Sequence, residues 1–207
     1  MLTTALLPAT DGSKDRLLIV LHGLGDSMEG WRFFPEELGF PWLSTLFVNA
    51  PDPYHGGFSW YDIYGDQGTG IRRSRVELSR VLDALPKEGF ALDKTVLLGF
   101  SQGCVMTLDT GLRYPKKLAG LVGISGYVFE PELLLEELSP VAREQKVLVT
   151  HGTEDPLLPL EPTRQQIHTL QRAGLNIRWE EYPKAHTLDG VRELGAIQQF
   201  ILDCLPS

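Results

Sequence analysis

The sequence predicts an α/β fold with a central, mostly parallel sheet. Short, continuous apolar runs alternate along the chain with segments of helical periodicity, a pattern typical of parallel strands that helices cover on both faces. Most of these runs end in glycine or polar residues, as expected where the carboxyl ends of strands open onto a functional site. The length of 207 residues fits a single domain, 1–207.

Charge and composition narrow the classes of partner. The formal net charge is −8, which argues against nucleic acid and against anionic membranes, because both call for clustered lysine and arginine. The segment Met1–Pro8 has no basic stretch, and no run approaches the ~20 apolar residues of a membrane span. We therefore expect a cytoplasmic protein without integral membrane association.

The two cysteines, Cys104 and Cys204, fall on the apolar stripes of predicted helices. Without an export signal, buried free thiols are favoured over a disulfide. No Cys/His cluster has the spacing of metal ligands. The sequence therefore predicts neither a metal nor another cofactor.

The first predicted strand, Leu17–Leu21, runs into the glycine-containing turn His22–Ser27. Glycines directly after a buried strand mark a close backbone approach, and in an acyl-transfer enzyme the approaching group is the substrate oxyanion. Leu24 would then donate its backbone N–H to it. An ordinary strand-to-helix turn explains the same residues equally well, and His22 is interpreted as a structural histidine.

The segment Tyr54–Tyr64 follows the second predicted strand, Thr45–Ala50, and is rich in aromatic residues and glycine without helical or strand periodicity. It is interpreted as a loop in which Phe58 and Trp60 bind substrate as the wall of an apolar pocket. A loop folded onto the core is the alternative. Exposed aromatic residues here would serve acyl binding or a homodimer interface equally well.

The pentapeptide Gly99–Gly103, with the sequence G-F-S-Q-G, is the centre of the predicted site. The strand Thr95–Leu98 leads into it and a helical pattern leads out, which is the context of a nucleophile elbow. Its two glycines leave room for a sharp turn and for close packing of helix on strand. Ser101 is the predicted nucleophile, and the backbone N–H of Gln102 is the predicted second oxyanion donor.

Further strands and helices complete the prediction. Apolar runs predict strands at Leu118–Ile124, Lys146–Thr150 and Asn176–Tyr182. Amphipathic periodicity predicts helices at Gly70–Leu85, at Pro162–Ala173 and in a closing segment with Val191, Leu194, Ile197, Ile201 and Cys204 on one face.

Two of these strands end next to ionisable residues. Asp155 follows the strand Lys146–Thr150, and His186 follows the strand Asn176–Tyr182. Together with Ser101 they give the chain order Ser, Asp, His, with gaps of 54 and 31 residues, and this order is that of α/β-hydrolases. His186 would take the proton from Ser101, and Asp155 would orient the imidazole.

The sequence also predicts roles for two other residues near the ends of strands. Leu158, just after Asp155, is the third predicted substrate-binding residue. Ser125 lacks the second glycine of an elbow and is expected to cap a turn.

Five ordered blocks resemble the acyl-protein thioesterase and carboxylesterase family, also called the phospholipase/carboxylesterase family, of α/β-hydrolases. They are Leu21–Asp26, Trp60–Asp62, Gly99–Gly103, His151-Gly152 with Asp155, and His186. The resemblance covers nearly the whole chain. It implies an α/β-hydrolase fold without a large cap domain, a triad of Ser101, Asp155 and His186, and an oxyanion hole of Leu24 and Gln102.

By this resemblance the chain would be a serine hydrolase that cleaves carboxylic esters or thioesters with short to medium acyl chains, including lipids or acylated proteins. The chain departs from the family at Cys104 and Ala185, where the family usually has glycine. Both residues are small, so the departures bear on acyl-chain preference rather than on the chemistry. Lysophospholipase, dienelactone-hydrolase-like and peptidase-like activities stay open, as does a non-catalytic binding module, although no triad member is lost.

Overall fold

A computed structural model describes residues 1–206 of the chain. The strands are Thr4–Leu7 (β1), Leu17–Leu21 (β2), Ser44–Val48 (β3), Asp52–Tyr54 (β4), Gly57–Ser59 (β5), Thr95–Phe100 (β6), Gly120–Ile124 (β7), Val147–Gly152 (β8) and Ile177–Tyr182 (β9). The helices are Phe34–Leu38 (α1), Gln67–Ala84 (α2), Gln102–Arg113 (α3), Pro131–Glu136 (α4), Leu160–Arg172 (α5) and Arg192–Cys204 (α6).

Seven strands form one sheet in the order β1-β3-β2-β6-β7-β8-β9, while β4 and β5 form a separate hairpin. Only β1 runs antiparallel to its neighbour within this seven-stranded sheet. The parallel registers place the carboxyl ends of adjacent strands side by side, with Leu21 opposite Gly99 and Gly152 opposite Tyr182. The predicted mostly parallel sheet is confirmed, and its strand exits share one edge.

Helices cover both faces of the sheet, which explains the continuous apolar run of β2. Leu17, Ile19 and Leu21 point into one core, which also holds side chains of α2, α3 and α5. Leu18 and Val20 point into a second core with side chains of α1 and α6. Because both faces are dry, none of these strand residues exposes more than 1% of its surface.

The segments between the strands differ in length, and the longest, between β5 and β6, covers residues 60–94. In the described part of the chain they hold single helices, turns and one hairpin, so the fold has no large cap domain, as predicted. Within residues 1–206 no helix combines the length and the apolarity that a membrane crossing needs.

The structure also contains elements that the sequence analysis did not predict. The segment Tyr54–Tyr64 is not wholly a loop, because its first part belongs to the hairpin of β4 and β5. Strands of three residues with a proline and two glycines nearby are too short to show periodicity. Helix α2 begins at Gln67 rather than at Gly70, because the Asp66 carboxylate accepts the N–H of Thr69 and caps the helix.

The contact between α3 and β2 predicts the effect of a small substitution. A Cβ at Gly103 would overlap the backbone carbonyl of Leu21, so the helix would have to move away from the strand. We expect Gly103→Ala to lower the free energy of unfolding by roughly 1–3 kcal/mol, measured by chemical denaturation. Gly195→Ala on α6 is the control, because a Cβ there meets no atom within 4 Å. This control should be neutral or up to about 1 kcal/mol more stable, and equal stability of the two variants would contradict the prediction.

Candidate active site

Ser101 occupies the sharp turn between β6 and α3. Its backbone has φ 55° and ψ −116°, a region that residues with a side chain rarely adopt. The Ser101 N–H donates to the carbonyl of Ile124 on β7, with an N···O distance of 2.8 Å. A Cβ at Gly99 would overlap the backbone of Gly103, so only glycine fits below the turn. The strand, turn and helix therefore hold the Ser101 side chain at the edge of the sheet.

Three of the residues singled out from the sequence lie in one hydrogen-bonded row. The Oγ of Ser101 lies 2.9 Å from Nε2 of His186, and Nδ1 of His186 lies 2.7 Å from Oδ2 of Asp155. An ionised carboxylate only accepts hydrogen bonds, so Nδ1 carries the proton and Nε2 turns a lone pair toward the Ser101 hydroxyl. A hydroxyl beside such a base is an activated nucleophile.

The Asp155 carboxylate is buried and well bonded. Burial raises its pKa, but N–H groups from Leu158 and Leu157 and the ring of His186 together outweigh burial and hold the pKa below its usual value. Both N–H groups bond to Oδ1 at 2.9 Å, which leaves Oδ2 for His186. Asp155 is therefore ionised at neutral pH and can stabilise an imidazolium.

The turn after β2 presents a backbone N–H next to Ser101. The carbonyl oxygen of Gly23 accepts the Nδ1–H of His22 at 2.6 Å, and the His22 Nε2 accepts the N–H of Ala50 at 3.1 Å. Since the Gly23–Leu24 peptide is trans, the N–H of Leu24 points away from His22. His22 is a buried structural histidine, as predicted, and it orients this peptide.

A second N–H comes from Gln102, the first residue of α3. Helix N-termini leave their first N–H groups without intrahelical partners and favour negative charge. Among residues 1–206, neither Gln102 nor Leu24 donates its backbone N–H to another protein group. Both residues line the same cavity as Ser101, so two donors are available where charge would develop on a substrate oxygen.

The hairpin of β4 and β5 supports the turn after β2. Phe58 accepts the N–H of Gly25 at 2.9 Å and donates its own N–H to Asp26 at 2.8 Å. The indole Nε1 of Trp60 donates to the carbonyl of His22 at 2.9 Å. Trp60 is fully buried, and neither Trp60 nor Phe58 lines the cavity next to Ser101. The structure places these two residues, predicted to bind substrate, behind the turn and not in the cavity wall, and their contacts support the turn.

The side chain of Gln102 has a structural role that the sequence analysis missed. Its Oε1 accepts the N–H of Trp60 and its Nε2 donates to the carbonyl of Tyr61, both at 2.9 Å. The residue after Ser101 thus ties the elbow to the aromatic segment. An amide side chain directly after the predicted nucleophile was the available sequence signal.

A cavity of about 510 Å³ opens beside Ser101 and His186. Leu158 lines it, together with Tyr54, Tyr61, Ile63 and Tyr64 from the segment that was interpreted as an apolar pocket wall. Tyr127 and Leu157, which the sequence analysis did not single out, line it as well. The hydroxyls of Tyr61 and Tyr127 are hydrogen-bonded at 3.0 Å, and Tyr127 donates to Gln67. With the side chains of Tyr61, Tyr127 and Gln67 bonded to one another, this part of the cavity wall suits an apolar ligand.

The remaining candidates lie in structural positions. Ser125, expected to cap a turn, is instead fully buried, and its Oγ accepts a hydrogen bond from Lys184. Cys104 and Cys204 are buried free thiols, as predicted, and burial raises the pKa of Cys104 to about 12. Across residues 1–206, no three His, Cys, Asp or Glu side chains converge as a metal-binding group.

Comparison with known proteins agrees with this geometry. The model of the Phospholipase/Carboxylesterase family matches residues 5–205. Acyl-protein thioesterase 1 of Schizosaccharomyces pombe is 39% identical over 155 residues, which is 69% of each chain. Acyl-protein thioesterase 1 of Yarrowia lipolytica is 29% identical over 203 residues, or 89% of each chain.

Solved structures of similar fold include two different proteins of at least 25% identity. Esterase PE8 superposes with a TM-score of 0.86 and 27% identity, covering 99% of both chains. Arabidopsis thaliana SOBER1 superposes with a TM-score of 0.84 and 25% identity, covering 93% of this chain and 100% of its own.

The burial of His22 predicts a pH dependence of stability. Burial lowers the His22 pKa below its usual 6.5, although its bond to Gly23 and the charge of Asp26 oppose the shift. At a pH below the usual histidine pKa, the unfolded chain binds more protons than the folded protein. The free energy of unfolding therefore falls as the pH drops. We expect urea denaturation between about pH 7 and pH 5 to show a smaller fall in His22→Gln than in the wild type. Equal slopes would contradict this prediction.

The hairpin contact predicts a catalytic effect at a distance. A Cβ at Gly57 would overlap the backbone of Gly25 and Asp26, so Gly57→Ala should displace the turn that carries Leu24. We expect kcat for ester hydrolysis to fall by roughly 10- to 100-fold, because small misplacements of donors are costly. Gly56→Ala is the matched control. A Cβ at Gly56 meets no atom within 4 Å, although its φ of 90° adds strain there. A kcat that falls equally in both variants would show that hairpin strain, not the turn, is responsible.

Proposed function

The chain belongs to the phospholipase/carboxylesterase family of α/β-hydrolases, and we propose that it is a serine hydrolase of carboxylic esters and thioesters with Ser101, His186 and Asp155 as its catalytic triad. The observation that carries the proposal is the hydrogen-bonded row from Ser101 Oγ through His186 to the buried Asp155 carboxylate. The two free N–H groups of Leu24 and Gln102 beside Ser101 support it as the oxyanion hole.

The acylation step follows from these positions. His186 Nε2 takes the proton of the Ser101 hydroxyl as Oγ attacks the carbonyl carbon of the substrate. The N–H groups of Leu24 and Gln102 bind the oxyanion of the tetrahedral intermediate, and Asp155 stabilises the imidazolium. When the intermediate collapses, His186 gives its proton to the leaving alcohol or thiol, and the acyl group stays on Ser101.

Hydrolysis of the acyl-enzyme repeats these steps with water. His186 Nε2 removes a proton from a water molecule, whose oxygen attacks the acyl carbon while the same two N–H groups hold the oxyanion. The intermediate then releases the carboxylic acid, and His186 returns the proton to Ser101 Oγ. The enzyme regains its starting protonation, so the cycle needs only water as a second substrate.

The acyl group is proposed to occupy the cavity beside Ser101. Its volume of about 510 Å³ and its wall of leucine, isoleucine and aromatic side chains favour short to medium acyl chains. At its rim, Leu157 exposes 68% and Tyr64 84% of the surface. This open rim suits leaving groups of varied size, so lysophospholipids and S-acylated peptides are included among the substrates to test.

Two further expectations stay predictions. A homodimer through the exposed aromatic rim is checked by sedimentation velocity over a range of protein concentrations. A cytoplasmic location is checked by fractionation of cells that express the chain.

The proposal predicts a defined pattern of activity. We expect p-nitrophenyl esters from acetate to palmitate to give a maximum of kcat/KM at a short or medium chain, and acyl-CoA thioesters to be hydrolysed as well. Ser101→Ala should abolish turnover, and Asp155→Asn should lower kcat by roughly 10⁴-fold because it removes the charge that orients His186.

Lysophosphatidylcholine and an S-acylated peptide complete the substrate panel. Turnover of one of them well above the simple esters would assign the physiological bond. Turnover by Ser101→Ala equal to the wild type would contradict the proposal, whereas His168→Ala, on the exposed side of α5, is the control expected to keep full activity.

A further inference from the structure

His186 lies on a segment without regular secondary structure. Residues 183–189, here called the histidine loop, connect β9 to the turn before α6. The ring must nevertheless stay 2.9 Å from Ser101 Oγ and 2.7 Å from Asp155. The loop therefore needs fixed contacts with the strands that carry those two residues.

The side chain of Lys184 makes such contacts from inside the protein. Its Nζ lies 2.6 Å from Oε1 of Glu193, 2.7 Å from the carbonyl of Thr187 and 3.0 Å from Oγ of Ser125. An ammonium group has three protons, and all three are used here. Only 4% of the Lys184 side chain is exposed, so no water is needed to satisfy it.

Glu193, at the start of α6, makes two contacts with the histidine loop. Its side chain is fully buried, and its second oxygen, Oε2, accepts the N–H of Asp189 at 2.8 Å. The ion pair therefore holds the loop at Lys184, Thr187 and Asp189, which lie on both sides of His186.

The same lysine reaches the two strands beside the reactive groups. Ser125 follows β7, whose last residue, Ile124, accepts the N–H of Ser101. The backbone carbonyl of Lys184 accepts the N–H of Glu154, the residue before Asp155, at 3.1 Å. Lys184 thus joins the histidine loop to the end of β7, which contacts Ser101, and to the residue before Asp155.

A buried ion pair is a poor source of stability. Removing two charges from water costs several kcal/mol per ion, and well-packed apolar residues in their place are often as stable. What the pair supplies is a set of directional bonds that fix one geometry. Burial accordingly lowers the pKa of Lys184, although the charge of Glu193 opposes the shift.

We propose that the buried Lys184–Glu193 pair, bonded to Ser125, Thr187 and Asp189, is a positioning device that holds His186 in register with Ser101 and Asp155. The proposal rests on the function proposed above, since it takes Ser101 and His186 as the reacting groups. Neither Lys184 nor Glu193 lines the cavity, so both act through His186 and not on the substrate.

Lys184→Met tests the proposal, with Arg113→Met as the matched control. Arg113 pairs with the buried Asp109 and with Glu137, away from the histidine loop. We expect Lys184→Met to lower kcat by roughly 10- to 100-fold with little change in KM, because the base is displaced while the cavity is kept. Arg113→Met should lose comparable thermal stability and keep wild-type kcat.

Two further measurements report on His186 directly. The rate at which a fluorophosphonate modifies Ser101 should fall with kcat in Lys184→Met and stay unchanged in Arg113→Met. The low-field proton resonance of His186 Nδ1–H should broaden or shift only in Lys184→Met, which a general loss of stability would not produce.

Ser125→Ala keeps the proposal testable if Lys184→Met does not fold. It removes one of the three acceptors of Lys184, and we expect kcat to fall by roughly 2- to 10-fold, the effect of one hydrogen bond. Wild-type kcat in folded Lys184→Met, or in Ser125→Ala when Lys184→Met is unfolded, would overturn the proposal. Equal losses in Lys184→Met and Arg113→Met would also overturn it.

A failure of the positioning role can be distinguished from a failure of the proposed function. If His186→Ala retains wild-type turnover, the triad itself is wrong. If His186→Ala abolishes turnover while folded Lys184→Met keeps it, the triad stands and only the positioning role fails.

Discussion

The backbone of Ser101 is held in a conformation that it would leave without its surroundings. A residue at φ 55° and ψ −116° costs on the order of 1–3 kcal/mol, and the neighbouring strands and helix offset that cost. The bond to Ile124 fixes the turn from one side, and the glycines at 99 and 103 let α3 approach β2 and β6. This close approach also brings the first N–H groups of α3 next to the turn after β2.

Further hydrogen bonds hold the other parts of the site around the Ser101 turn. His22 orients the Gly23–Leu24 peptide, the hairpin of β4 and β5 supports it from behind, and the side chain of Gln102 ties the aromatic segment to the elbow. On the other side, Asp155 bonds to His186 of the histidine loop, and the Lys184–Glu193 pair ties that loop to α6. The side chains of the proposed triad are few, and the polar groups that hold them in place are more numerous and mostly buried.

The sequence predicted those features that depend on neighbouring residues or on the order of the elements along the chain. Continuous apolar runs predicted the parallel strands, and the residues at their exits were placed correctly because parallel strands end at one edge. The structure accordingly brings Ser101, Asp155 and His186 together. Long-range pairing was not accessible: the burial of Trp60 depends on the carbonyl of His22, and Lys184 is buried only because Glu193, Ser125 and Thr187 meet it. In the sequence, such a lysine is indistinguishable from a surface residue.

Cys104 directly follows the pentapeptide, at a position where the related family usually has glycine. Its Sγ fills the space left by Gly123 and Gly126, at each of which a Cβ would collide with it. Both cysteines of the chain are buried, and a thiol with a pKa of about 12 holds almost no thiolate at neutral pH. Oxidants and alkylating reagents act on exposed thiolates, so the buried Cys104 thiol is a poor target for both.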